Sequence, residues 1–182
     1  MADKYMNEVN LEALANQATA LQSHRGGSGE VRYVSVDLVD HEARPASMLR
    51  AGDTLIVRAQ YRADQHVVSP VFQIAIVDVD TGLVITSATS SRGQSPDAEA
   101  GHGMIECRFP RLPLRPRQYV LRLSITDRDQ LASYDIVNAG PRFAVSGGGY
   151  GVDGLADEDD GLVSLPYEFV HHGAVPAPGA RL

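Results

Sequence analysis

Between Glu30 and Ser146 the chain alternates apolar and polar residues in short runs, and this period of two limits the possible folds more than any other feature. Val34, Val36 and Leu38 share one side of the first run, with Tyr33, Ser35 and Asp37 on the other. In the second, Leu55, Val57, Ala59 and Tyr61 oppose Ile56, Arg58, Gln60 and Arg62. The pattern returns in Phe72-Ile74-Ile76, Ile105-Cys107-Phe109, Tyr119-Leu121-Leu123-Ile125 and Phe143-Val145. Successive side chains of a strand point to opposite faces, so each run predicts a strand with one buried and one wet side. Six or more such strands with no helix between them predict an all-β, antiparallel sandwich. A sandwich offers a sheet face or a rim of loops for binding more readily than a catalytic cleft.

The flanks differ in texture. Asn7 to Leu21 places Val9, Leu11, Leu14, Ala18 and Leu21 near one stripe, which predicts a short amphipathic helix ending at the flexible Gly26-Gly27-Ser28-Gly29. Residues 1–29 are therefore expected to be a helical linker, 30–172 the sandwich and 173–182 a disordered tail. Within the sandwich, 91–103 is expected to be a long polar loop. After Ser146 come Gly147, Gly148, Gly149, Gly151 and Gly154, then Asp157-Glu158-Asp159-Asp160, then a last strand from Leu162 to Val170. A strand on so long an arm can fold back on its own sheet or cross to a second copy. Exchange of 162–170 between identical protomers would make a homodimer.

Charge and motifs narrow the chemistry. The net charge of -7 argues against a nucleic-acid partner. The only lysine is Lys4, so arginine carries the positive charge of the folded part, and arginine suits forked hydrogen bonds to oxygen-rich ligands. No apolar run has the length of a membrane span or the form of a signal peptide. The one cysteine, Cys107, faces inward as a structural thiol and fits a reducing, cytoplasmic compartment. Gly149-Tyr150-Gly151-Val152-Asp153-Gly154 spells G-x-G-x-x-G, but an acidic run comes after it where a phosphate-binding helix should start. The acidic run lacks the ligand spacing of a calcium loop. His171-His172 on a strand would point to opposite faces, with no third metal ligand nearby. No nucleophile elbow, zinc-protease helix or nucleotide-binding P-loop occurs. No cofactor, metal or catalytic residue is expected; an enzymatic reading would need an acid pair such as Asp135 with Asp127, and nothing in the spacing requires it.

Five segments in order carry a resemblance: Gly29-Glu30-Val31-Arg32-Tyr33-Val34, then Leu49-Arg50-Ala51-Gly52-Asp53-Thr54-Leu55, then Pro70-Val71-Phe72-Gln73-Ile74-Ala75-Ile76, then Leu112-Pro113-Leu114-Arg115-Pro116, and last Tyr134-Asp135. Over about two thirds of the chain this order resembles the C-terminal carbohydrate-binding domain of Wzt-type ATP-binding subunits from O-antigen polysaccharide ABC transporters. The resemblance implies an immunoglobulin-like sandwich that recognises the capped non-reducing end of an O-polysaccharide before export. It also implies a homodimer, and a location at the cytoplasmic side of the inner membrane through a membrane transporter subunit. In that family an ATPase precedes the domain, so residues 1–28 would be the end of an interdomain linker or the start of a separately encoded chain.

Immunoglobulin-like pairing would put 71–77, 83–90, 118–125 and 141–145 in one sheet, with the first two strands and 104–109 in the other. The outward side of the former would carry Gln73, Ala75, Val77, Arg122, Ser124 and Arg142, with Thr86 beside them if its strand keeps register. Small Ala75 and Ser124 between longer polar neighbours would leave a shallow trough. The expected carbohydrate-binding residues are Gln73, Thr86, Arg122, Ser124, Tyr134 and Arg142. The chain has no tryptophan; Tyr61 and Tyr119 fall on core sides, leaving Tyr33 and Tyr134 as the outward rings, with Tyr150 and Tyr167 in or after the flexible arm. Binding would therefore rest on hydrogen bonds more than on stacking. The other sheet's Arg58, Gln60, Arg62, Glu106 and Arg108 read as a cross-strand salt-bridge ladder. The competing reading is an adaptor that dimerises and contacts a transporter without recognising sugar.

Overall fold

Strand β4 (Leu55–Ala63) shows how the alternation becomes a layer. Its Leu55, Val57, Ala59 and Tyr61 are buried, while Gln60 and Arg62 are exposed. β4 pairs antiparallel with β2 (Val31–Val39) on one side and β7 (Gly101–Phe109) on the other, forming a three-stranded sheet. The computed structural model describes residues 25–90, 95–147 and 163. The expected helix over 7–21, the G-x-G-x-x-G segment, the acidic run and His171-His172 lie outside these residues.

The second sheet has seven strands. β5 (Val71–Asp78) sits between β6 (Val84–Thr89) and β8 (Gln118–Thr126), antiparallel to both. The far edge of β8 is shared: its first residues pair with β10 (Arg142–Ser146) and its last with β9 (Ser133–Val137). β3 (Met48–Arg50) lies parallel to β10, and β1 (Arg25–Gly26) antiparallel to β9. The assignment of strands to two sheets is thus the one that immunoglobulin-like pairing would give, with β1, β3 and β9 added at the edges. The chain lacks a helix among the described residues, and none there is long and apolar enough to cross a membrane.

The inner sides of the two sheets meet in one apolar core. Tyr33 and Tyr61 from the smaller sheet close on Phe72 of the larger, with ring centroids 6.3 and 5.0 Å apart, and Tyr119 stacks on Phe143 at 5.4 Å. Leu55, Ile76, Leu121 and Ile125 are fully buried among them. Each such side chain contributes about 1.5–3 kcal/mol relative to exposure.

Three departures from simple alternation matter. A β-bulge between Tyr33 and Ser35 shifts the β2–β4 register, so Tyr33 and Val36 both point inward and Val34 points out. Tyr33 is therefore not an exposed ring: it is buried, and its hydroxyl donates to the Ser124 carbonyl of the opposite sheet at 3.2 Å. Burial, aided by the Asp135 charge, drives its pKa far up. Second, the glycine run read as a break is docked. Ser28 N–H and Gly29 N–H donate to the carbonyls of Ser133 and Tyr134, and Gly27 takes a φ of 105°. A Cβ at Gly27 would overlap the Tyr134 backbone, so glycine is required where this segment crosses β9. Third, β7 starts at Gly101, inside the segment expected to be loop.

Among the described residues β6 and β7 each pair on one side only, and they flank the same edge of the sandwich. Between β6 and β7 lies a cleft of about 420 Å³ lined by Phe72, Ile74, Ala88, Ile105 and Cys107. Cys107 faces inward, as expected, but is only half-buried, and that burial pushes its thiol pKa up. At another edge, Val163 makes an isolated antiparallel bridge with Leu114 of the same chain. The remainder of the expected 162–170 strand lies outside the described residues.

Candidate functional site

The outward side of the seven-stranded sheet is built by the register of β5, β6, β8 and β10. Gln73 stands opposite Thr89 on β6 and Ser124 on β8. The Gln73 amide Nε2–H donates to the Ser87 hydroxyl at 2.9 Å, and the Ser124 hydroxyl donates to Gln73 Oε1 at 3.1 Å. Three strands are thereby linked by one polar row. In the next row Ala75 lies between Ser87 and Arg122, and in the third Val77 lies between Val84 and Val120. Ala75 and Val77 are buried although they belong to the outward side. The result is an apolar floor bordered by amide, hydroxyl and guanidinium groups.

Arg142 is opposite Val120, which puts it one diagonal step from Arg122 on the same side of the sheet. Both arginines are exposed. Gln73, Arg122, Ser124 and Arg142 thus share the sheet side the alternation implied. Two residues expected with them do not. A bulge between Ile76 and Val77 makes Ile85 an extra residue, so Thr86 opposes core-facing Ile76. Ser87 takes the outward place that the alternation gave to Thr86. A second bulge, between Ile125 and Thr126, lifts Tyr134 out of register. The Tyr134 ring is half-buried against the core, and burial together with the nearby Glu30 and Asp127 charges raises its pKa. It stands apart from the Gln73–Arg122 cluster.

The opposite outer face is different in kind. Arg58 donates to Glu106 at 2.8 Å and Arg108 to the same carboxylate at 2.7 Å, which holds the Glu106 pKa below its usual value. Arg62 pairs with Asp64 at 2.8 Å. Each of these arginines meets a carboxylate, but only the Arg58–Glu106 pair crosses between strands as the expected ladder would; the other two join residues two apart along the chain.

The acid pair considered for catalysis is occupied by backbone and arginine. Asp127 Oδ1 accepts the N–H groups of Leu131 and Ala132 and closes the β8–β9 turn. Asp135 accepts two hydrogen bonds from Arg25 and one from the Tyr33 N–H. Among the described residues no group of three or more His, Cys, Asp or Glu is arranged to hold a metal ion.

Comparison with known proteins bears on this arrangement. The sequence profile described as "Wzt C-terminal domain" matches residues 22–158. The solved structure described as the crystal structure of the C-terminal domain of wzt superposes with a TM-score of 0.67 at 16% identity. That match covers 83% of this chain and 89% of that one. A calcium-binding mutant of Bacteroides uniformis beta-glucuronidase 2 (TM-score 0.40, 13% identity) covers 55% of this chain and 12% of its own. Parabacteroides merdae beta-glucuronidase (0.39, 17%) covers 64% and 13%. No curated protein matches the chain significantly in sequence. The profile match extends across both sheets and all ten strands, and the chain belongs to the Wzt C-terminal domain family.

Proposed function

We propose that this domain is a non-catalytic carbohydrate-binding module that recognises the non-reducing end of an O-antigen polysaccharide for export by an ABC transporter. Membership of the family supports the transport setting. The observation that carries the sugar-binding reading is the Ser87–Gln73–Ser124 row beside the Ala75–Val77 floor. A sugar presents hydroxyls at its edge and C–H groups on its faces. Amide and hydroxyl groups fixed by neighbouring strands can exchange hydrogen bonds with the edge. Pre-ordering Gln73 between two serines reduces the entropy lost on binding.

On this reading the domain acts at the cytoplasmic side of the inner membrane, coupled through the complete transporter to its membrane subunit. It acts as a homodimer in which segment 162–170 crosses between copies. The Val163–Leu114 bridge supports a docking place for that segment at the 112–116 crossover.

Calorimetric titration with isolated O-polysaccharide tests the proposal. Binding by the intact chain that is weakened in Gln73→Ala is the expected result. If the polysaccharide leaves no heat of binding, the adaptor reading takes its place.

A further inference from the structure

Charge on the outward side of the seven-stranded sheet has one sign. The chain carries 23 acidic residues against 16 lysines and arginines. Yet the outward positions of β3, β5, β6, β8 and β10 include Arg50, Arg122 and Arg142 and no Asp or Glu. The acids of this sheet, Asp78 and Asp135, are both turned inward and buried.

The register sets the arginines close together. Arg142 is opposite Val120, and Arg122 comes two residues later along β8, so the pair are diagonal neighbours with Cα atoms about 7–8 Å apart. Among the described residues neither side chain has a hydrogen bond or ion pair. Several other arginines meet a carboxylate: Arg25 with Asp135, Arg44 with Asp40, Arg58 and Arg108 with Glu106, Arg62 with Asp64. Two adjacent cations without a counter-ion repel one another, and an anion placed between them removes that repulsion. Guanidinium forks match carboxylate and phosphate oxygens geometrically.

We infer that the glycan bound on this face is anionic, and that Arg122 and Arg142 hold its carboxylate or phosphate group. This inference rests on the proposal that the face binds a glycan, and it adds the charge of that glycan. The anion-bearing residue would lie at Arg122 and Arg142. Its neighbour would meet Ser124 and Gln73, about 7 Å further along β8.

The test uses polysaccharide isolated from the cells that make the protein, titrated into the full chain. It is compared before and after two separate treatments: reduction of carboxylates to alcohols, and hydrofluoric acid removal of phosphate esters. The native polysaccharide is expected to bind. One treatment should weaken binding about tenfold or more, and which one identifies the anion. Arg122→Gln and Arg142→Gln should each weaken binding of the native form by a similar factor, without lowering the melting temperature. Raising ionic strength from about 0.05 to about 0.5 M should weaken the native form more than the treated one. If both treatments leave affinity unchanged while Gln73→Ala lowers it, the charge inference is overturned and the glycan reading stands. If no form binds, both fall.

Discussion

Asp135 on β9 is joined to Arg25 on β1 by two hydrogen bonds of 2.7 and 2.6 Å, from Nε and an Nη to the two carboxylate oxygens. The carboxylate is buried, and its Oδ2 also accepts the Tyr33 N–H at 2.8 Å. Arg25 in turn donates to the Tyr33 carbonyl at 2.7 Å. The pair therefore ties the first described strand to both sheets at once. Removing one partner strands the other charge in a poorly hydrated place. Arg25→Ala is expected to cost about 3–5 kcal/mol of stability because it leaves the buried Asp135 carboxylate without its counter-ion, and Asp135→Ala somewhat less because the Arg25 side chain left behind reaches solvent. Urea denaturation of both single variants and the double variant checks this. The double should cost less than the sum, and strict additivity would contradict a coupled pair.

Gln73→Ala and Ser124→Ala separate recognition from folding. Both residues lie on the outward side, and their mutual bond is near solvent. Stability should change by no more than about 0.5 kcal/mol, the usual range for surface positions. Glycan affinity should fall by about 0.5–1.5 kcal/mol for each lost neutral hydrogen bond. Calorimetry beside thermal melts distinguishes the two effects. A large drop in melting temperature with unchanged affinity would assign the row a structural role only.

Gly103 lies opposite Tyr61 in the β4–β7 register, and a Cβ there would overlap the tyrosine ring. The ring occupies the space that a side chain on β7 would otherwise fill, and it touches Phe72 from there. Gly103→Ala should destabilise by about 1–3 kcal/mol, the range for overpacking. Pairing it with Tyr61→Leu should recover part of that loss. No recovery in the double variant would point to backbone strain in place of ring overlap.

Asp78 supplies an acid-sensitive contact. Burial raises its pKa, but the Thr81 hydroxyl and N–H, the Arg117 charge and the Asp80 N–H outweigh it, leaving the pKa below 3.8. A carboxylate with a folded pKa below its unfolded value stabilises above the unfolded value and loses that contribution as pH falls through the folded one. Stability should therefore be steady down to about pH 4 and decline below it. Asp78→Asn should be less stable at pH 7 and flatter in the acid range. Urea midpoints measured from neutral pH to about pH 3 give the comparison.

Deleting residues 161–182 removes Val163, the partner of Leu114. The truncated chain is expected to run as a monomer, or to associate non-specifically through sheet edges left uncovered. Light scattering decides: a truncated chain that remains a well-behaved dimer rules out exchange of the 162–170 segment.

The alternation alone determined the strands, their facing and most of the core, while the assignment of the long strands to two sheets came from the immunoglobulin-like pairing that the resemblance implied. Leu55, Val57, Ile74, Leu121 and Phe143 are buried where a period of two puts them. The alternation also placed Gln73, Arg122, Ser124 and Arg142 on the outward sides of their strands, because an uninterrupted strand carries its facing from one residue to the next. The bulges belong to tertiary structure. Each is a mismatch in length between two strands distant in sequence, and nothing local to Tyr33, Ile85 or Tyr134 announces it. One inserted residue reverses the facing of the rest of its strand, which buried Tyr33, exchanged Thr86 for Ser87 and drew Tyr134 off the site. Only the folded chain shows which arginines meet carboxylates. Arg58 and Arg122 read alike in sequence, yet Glu106 stands across from one and the small, neutral Ala75 from the other.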